Sequence, residues 1–280
     1  MKIEKAERLG LCFGVRRAIK LLEEAAHKYG EIETLGPLAH NRLLVETLAE
    51  LGVKSIDCLD QAEGRILAIT THGVSPSVLA EIKTRHTRII DTTCPIVRKA
   101  QDAARGLANA GFDIFIFGDA KHSEVKGLLG WTGDRGMATL RVDDIHRSGK
   151  SSLRLGIISQ TTQTQSDFLK FALQLVDMFG PSIHEMRLVN TLCEVTQGQQ
   201  EAALEVARKS QLMIVIGGGN SANVRHLVEI CSSSVETHLI ETADEVDTSW
   251  FVGKDYIGIT AGASTPDEVV EELVDKLRSL

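Results

Sequence analysis

Apolar residues recur along this chain in two rhythms. Short β-branched runs bounded by glycine and charged residues fall at Glu31–Leu35, Arg65–Ile69, Arg88–Asp91, Asp113–Phe117, Leu153–Ile158, Leu212–Ile216 and Tyr256–Thr260. Runs of this kind predict strands. Between them lie longer stretches with apolar residues three and four apart, the spacing of a helix that buries one face. Strands and helices alternating in this way predict a parallel α/β fold. Ser75-Pro76, Cys94-Pro95 and Thr265-Pro266 each place proline at an expected first helical position, where its missing N–H costs nothing. Gly52 and Gly111 are expected to cap helix C-termini.

No proline- or serine-rich linker interrupts the pattern, so any subdivision has to be into lobes that pack together. Cysteines mark the subdivision. Cys12 opens Cys-Phe-Gly-Val-Arg-Arg-Ala, Cys94 opens Cys-Pro-Ile-Val-Arg-Lys-Ala and Cys193 opens Cys-Glu-Val-Thr-Gln, each leading into a helical pattern. The chain therefore reads as α/β with three pseudo-equivalent lobes of mostly parallel sheet, spanning 1–94, 95–192 and 193–280.

Composition narrows the function more than the fold. The 280 residues are 43% hydrophobic and 25% charged, the balance of a globular protein. A net charge of -7 argues against nucleic-acid binding, whose affinity comes from lysine and arginine neutralising phosphates. No stretch approaches the ~20 apolar residues that span a bilayer, and Met1-Lys2-Ile3-Glu4-Lys5 carries charges where a signal peptide has an apolar core. The expectation is a cytoplasmic protein, monomeric or weakly dimeric, with neither membrane nor nucleic-acid partners. Five cysteines, an odd number in a reducing compartment, do not build a disulfide framework, so metal or redox chemistry leads.

A cysteine at a helix N-terminus has its thiolate stabilised by unpaired N–H groups, and three such cysteines can meet on one axis. None of them lies in the tight Cys-x-x-Cys spacing of a locally built site, so a ligand set would have to be assembled from distant loops. Spacing alone leaves open the ordinary fate of a free cysteine as a small buried hydrophobe. Cys58 and Cys231, which lack the repeated context, are read that way.

Polar residues cluster just after the expected strand ends, where open α/β sheets bind ligands. They are His40-Asn41, His72-Gly73, His122-Ser123-Glu124, Gln160-Thr161-Thr162, Asn220-Ser221-Ala222-Asn223 and Ala261-Gly262-Ala263-Ser264. Each has a bland reading as a cap or turn. Together they supply neutral donors and helix N-termini that can bind a diphosphate without lysine or arginine. Glu124 is the obvious carboxyl among them for proton transfer, with capping of its own helix as the competing role. Leu212–Ile216 followed by Gly217-x-Gly219-x-x-Ala222, with Glu236 near the usual acidic offset, imitates a dinucleotide fingerprint. Too little chain follows it for a full nucleotide fold.

At these residues the sequence resembles a known family, the 4-hydroxy-3-methylbut-2-enyl diphosphate reductases (IspH/LytB), from Leu9 to Pro266. The resemblance rests on Cys12-Phe13-Gly14-Val15-Arg16-Arg17-Ala18-Ile19, Ala39-His40-Asn41, Thr71-His72-Gly73-Val74-Ser75, Asp91-Thr92-Thr93-Cys94-Pro95, His122-Ser123-Glu124-Val125-Lys126-Gly127, Gln160-Thr161-Thr162 and Thr260-Ala261-Gly262-Ala263-Ser264. It implies three α/β lobes around a 4Fe-4S cluster held by Cys12, Cys94 and Cys193, with the fourth iron left free for the substrate's hydroxyl. It further implies that His40, His72, His122, Ser221, Asn223 and Ser264 hold an allylic diphosphate, with the backbone N–H of Ala222 available to it. Glu124 and Thr161 then deliver protons. Two electrons from a donor such as reduced ferredoxin or flavodoxin, with loss of water, give isopentenyl and dimethylallyl diphosphate, the last step of the non-mevalonate route.

Departures from the family pattern gather near the third cysteine and the glycine run. Glu194 stands where an aromatic is common, Gly198-Gln199 replaces a usual Asn-Arg, Gly219 replaces a usual Lys, and Ala222 sits where some members carry serine. Two rival classes stay open from the residues alone. One is a non-enzymatic protein using the three cysteines for a structural or sensing metal; the other is an NAD(P)-dependent oxidoreductase using Gly217 to Ala222.

Overall fold

The computed structural model describes residues 1–85, 88–145 and 153–280. Its strands are β1 (Lys2–Lys5), β2 (Ile32–Leu35), β3 (Val53–Ile56), β4 (Ile66–Ile69), β5 (Arg88–Asp91), β6 (Asp113–Phe117), β7 (Gly136–Thr139), β8 (Leu153–Ser159), β9 (Ile183–Leu188), β10 (Leu212–Ile216), β11 (Thr237–Ile240) and β12 (Tyr256–Ala261). Its α-helices are α1 (Phe13–Tyr29), α2 (Arg42–Glu50), α3 (Pro76–Arg85), α4 (Pro95–Asn109), α5 (Ser123–Trp131), α6 (Gln165–Phe179), α7 (Glu194–Ala207), α8 (Ala222–Ser232) and α9 (Asp267–Arg278).

The strands form three 4-stranded sheets, ordered β3-β2-β4-β5, β7-β6-β8-β9 and β1-β12-β10-β11. Every pairing is parallel. The same plan is used three times, with two central strands flanked by two edges, but the third copy is closed by the chain's beginning. β1 pairs with β12 from Lys2 opposite Tyr256 to Lys5 opposite Ile259. The first residues, expected to open the first lobe, therefore contribute a strand to the third, standing where β5 and β9 stand in the other two.

Both faces of each sheet are covered. In the middle sheet Phe117, Leu155 and Ile157 pack on Phe168, Phe171 and Leu175 of α6. The opposite face sets Ile114, Ile116 and Ile158 against Ala100, Ala104 and Leu107 of α4 and Val125 and Leu128 of α5. Burial on both faces explains the uninterrupted apolar run of a strand such as β10, whose five residues are all buried. Edge strands are less covered, and in β9 only Ile183 and Glu185 are even partly buried.

Local signals behave as their chemistry dictates. Gly52 and Gly111 follow α2 and α4 with φ of 88° and 81°, in the left-handed region that glycine enters without strain. Pro76 and Pro95 open their helices. Pro266 instead sits one place earlier, at the N-cap of α9, so the expected register there is off by one residue.

Candidate active site

Each cysteine of the repeat follows an edge strand and caps the next helix: Cys12 after β1 at α1, Cys94 after β5 at α4, Cys193 after β9 at α7. One hydrogen bond fixes all three in the same way. The N–H of Cys12 donates to Ala263 O at 2.9 Å, that of Cys94 to Thr71 O at 3.0 Å, and that of Cys193 to Thr161 O at 2.8 Å. Each acceptor lies two residues beyond the central strand beside that cysteine's edge strand. The three loops are thereby drawn to one place, where Cys12, Cys94 and Cys193 line a shared cavity of about 700 Å³ including its mouth.

The remaining expected site residues line the same cavity. His40, His122 and Ser221 each stand five residues past the first central strand of their lobe, and His72 and Ser264 three residues past the second. Thr162 occupies that last position in the middle lobe and also lines the cavity, although the sequence marks it only as one member of a polar loop. Glu124, Thr161, Ala222 and Asn223 complete the lining. The cysteines left out lie elsewhere: Cys58 is exposed, and Cys231 is packed in an apolar cluster whose burial pushes its thiol up to about 12.

The histidines form a tight trio, with ring centroids 5.1, 5.5 and 5.4 Å apart. Burial holds His72 down to about 3 and His122 to about 4, and lowers His40 as well, so all three rings are neutral near pH 7. Arg225, on the first turn of α8, adds its charge against protonation of His40 and His122, a neighbour the sequence does not flag. The ligating atoms of the trio lie within 4.8 Å, close enough to suggest a metal ion. Tautomer argues for an anion instead. His122 Nδ1 accepts the Glu124 N–H at 3.2 Å, so a neutral ring carries its proton on Nε2. A metal at either nitrogen would displace that cap or that proton, whereas an anion accepts the Nε2–H directly.

Glu124 is 2% exposed. Its Oε1 accepts the Thr161 N–H at 2.7 Å and its Oε2 the Thr161 hydroxyl at 2.8 Å. Burial outweighs those two bonds and pushes the carboxyl up to about 7. His122, not Glu124, caps α5, which removes a purely capping role for the glutamate.

The glycine run has a packing explanation. A Cβ on Gly218 would lie 2.4 Å from the carbonyl oxygen of His40, so the turn after β10 is small because the His40 loop presses against it. Of the other departures, Gly198 makes room for Arg8, Ala222 is the first residue of α8 and buried, and Gly219 meets only Leu239, 3.7 Å from an added Cβ. Glu194 lies in the first turn of α7.

The LytB protein family profile matches residues 3–278. The chain belongs to the LytB family. Among its relatives, 4-hydroxy-3-methylbut-2-enyl diphosphate reductase of Dehalococcoides mccartyi (strain CBDB1) is 46% identical over 280 residues, covering 100% of this chain and 99% of that one. The enzyme of the same name from Pelobacter propionicus is 36% identical, covering 99% and 98%. A solved structure of (E)-4-hydroxy-3-methyl-but-2-enyl diphosphate reductase, the terminal enzyme of the non-mevalonate pathway, matches with a TM-score of 0.74 at 35% identity and full coverage of both chains. The Plasmodium falciparum E-1-hydroxy-2-methyl-but-2-enyl-4-diphosphate reductase matches with a TM-score of 0.91 at 27% identity, over 99% of this chain and 87% of that one.

LytB-family membership implies an iron–sulfur cluster, and the cysteine loops fit one. Thiolates are the ligands such clusters take. A Cβ on Gly14 would lie 2.8 Å from Cys94 Sγ and 3.8 Å from Cys12 Sγ, so the bare glycine leaves the space that both sulfurs face. Burial raises the Cys12 and Cys94 thiols against the nearby helix N–H groups, a cost that iron removes by replacing the proton. Among the described residues the three sulfurs do not group within 4.8 Å as the histidines do.

Proposed function

We propose that this protein reduces 4-hydroxy-3-methylbut-2-enyl diphosphate to isopentenyl and dimethylallyl diphosphate. The observation that carries the reading is a single cavity joining three cysteine-capped helix N-termini, a trio of neutral histidines and a buried carboxyl tied to a threonine. In the overall reaction the allylic C–O bond breaks and two electrons enter from a donor outside the chain, such as reduced ferredoxin or flavodoxin. One proton leaves with the hydroxyl as water, and a second goes to the allyl carbon. Cys12, Cys94 and Cys193 would hold a 4Fe-4S cluster with one iron free of protein ligands, which when bound supplies electrons and Lewis acidity at the substrate hydroxyl.

The chain's own residues do the rest. His40, His72 and His122 line the diphosphate end as neutral N–H donors, joined by Ser221, Asn223, Ser264 and the unpaired N–H groups of α8. None of the described residues lining the cavity is a lysine or arginine. Each neutral donor is then worth only ~1–3 kcal/mol, and binding is shared among many.

Glu124 handles the departing oxygen. With its carboxyl poised at about 7, a substantial fraction is protonated at neutral pH. A proton on Oε2 reverses the bond to Thr161: the carboxyl then donates to the threonine oxygen, and the threonine hydrogen turns toward the cavity. Glu124 and Thr161 thus make a two-member relay that can protonate a hydroxyl, a poor leaving group otherwise.

The deciding experiment is an anaerobic assay of cluster-reconstituted protein with the hydroxylated substrate and a chemical one-electron reductant. Formation of both five-carbon diphosphates is expected. A brown, iron-loaded protein that binds substrate and consumes no reductant refutes the reading.

A further inference from the structure

Asn223 lines the cavity, yet one of its amide atoms is orphaned. Its Nδ2 donates to Gln199 Oε1 at 3.3 Å, while its Oδ1 is buried without a partner among the described residues. An amide has nearly the same shape in either orientation, so its neighbours choose which way it points. Here the choice is made two bonds away. Gln199 Nε2 donates at 2.9 Å to the carbonyl oxygen of Gly10, and a carbonyl can only accept. Gln199 therefore cannot turn over without setting oxygen against oxygen, and its own Oε1 has to face Asn223 and take an N–H from it.

We infer that Gln199 is a positioning residue that fixes the orientation of the Asn223 amide. One N–H is tied back to α7, and the second N–H and the unpartnered Oδ1 remain free for a ligand of the cavity that Asn223 lines. Rested on the diphosphate reading of that cavity, the arrangement holds the free N–H where a phosphate oxygen can accept it, and Oδ1 where it can take the hydrogen of a protonated phosphate. The neighbouring glutamines of α7 do not duplicate the link. Gln197 and Gln200 turn toward the middle lobe, donating to Gln163 O at 2.8 Å and Thr162 O at 3.4 Å. Gln199 is 3% exposed, so its two bonds are shielded from water.

Gln199→Met keeps length and burial and removes both bonds. With inorganic diphosphate titrated calorimetrically into cluster-loaded protein, the variant is expected to bind roughly three- to tenfold more weakly, the worth of one hydrogen bond. Asn223→Ala should lose at least as much. The double variant should match Asn223→Ala within about twofold, because Gln199 acts only through Asn223. Losses that multiply in the double variant overturn the inference, as does Gln199→Met binding within about twofold of wild type. If Gln199→Met loses iron or its visible spectrum, the wild-type oxidised protein decides the matter by nuclear magnetic resonance. One slowly exchanging Asn223 side-chain hydrogen is expected there, and two rapidly exchanging ones overturn the inference. Wild-type protein that binds no diphosphate would sink the functional reading instead, and the same exchange measurement would still decide for or against Gln199.

Discussion

Replacing Glu124 by glutamine separates hydrogen bonding from acidity at one position. The amide keeps an oxygen for the Thr161 N–H and presents an NH₂ to the Thr161 hydroxyl, so the geometry of 2.7 and 2.8 Å contacts can persist. What disappears is a proton that can be given up. Turnover should fall at least ~100-fold, the lower end of what general acid catalysis contributes. The structure adds a second, opposite sign. Holding the wild-type carboxyl at about 7 instead of 4.5 penalises its ionised form by on the order of 3 kcal/mol. Because the folded value is raised, the contribution to stability is complete below 4.5 and is lost as pH rises through about 7. Glutamine does not titrate. Glu124→Gln should therefore grow more stable relative to wild type between about pH 5 and about pH 8, while remaining nearly inactive. Turnover with substrate and reductant, and thermal unfolding under inert gas at several pH values, read the two effects on the same cluster-loaded samples. Near-normal turnover would refute the relay. A stability difference that is flat, or shrinks with rising pH, would refute the burial argument behind it.

Cys12→Ser, Cys94→Ser and Cys193→Ser should each lower iron content and abolish turnover, whereas Cys58→Ser and Cys231→Ala keep both; equal iron loss from either of the last two would mean the ligands are wrongly chosen. Gly14→Ala should cost iron as severely as losing a ligand, since its Cβ would stand 2.8 Å from Cys94 Sγ, and a fully loaded variant would contradict that cradle. Burial holds His72 at about 3 and His122 at about 4, so diphosphate should bind near pH 7 without the rings taking up protons; calorimetry in buffers of different ionisation heat that detects uptake of about one proton or more counts against the neutral-donor reading. Arg225→Gln should weaken diphosphate binding by less than about tenfold, since an exposed charge is screened, and complete loss of binding would end the neutral-pocket account.

Much of the site is legible in the sequence because its chemistry sits at punctuation. Cysteine before a helical pattern, histidine after a strand and Ser221 before α8 are local signals, written within a few residues. What is not legible there is the contact between loops distant along the chain. Arg225 is an ordinary surface arginine until α8 brings it beside His40 and His122. Gln199 is one of several glutamines in a helix until Gly10 and Asn223 meet it from either side. The glycine run invites a nucleotide reading because the Gly218 contact with His40 is tertiary.

The strands divide on the same line. Six of the seven runs evident in the sequence are the central strands β2, β4, β6, β8, β10 and β12; the seventh is β5. The strands without such a run, β1, β3, β7, β9 and β11, are all edges. Double-sided burial demands apolar residues at every position and so writes itself into the sequence, while an edge can be almost any extended segment that finds a partner. By itself, then, the sequence determined alternation, parallel sheets, the threefold repeat and the residue types of the cavity. Only the tertiary structure decided that Lys2–Lys5 crosses the whole chain to close the third sheet against β12. Pairing between strands so far apart depends on backbone hydrogen bonds, which every residue offers and no side chain announces.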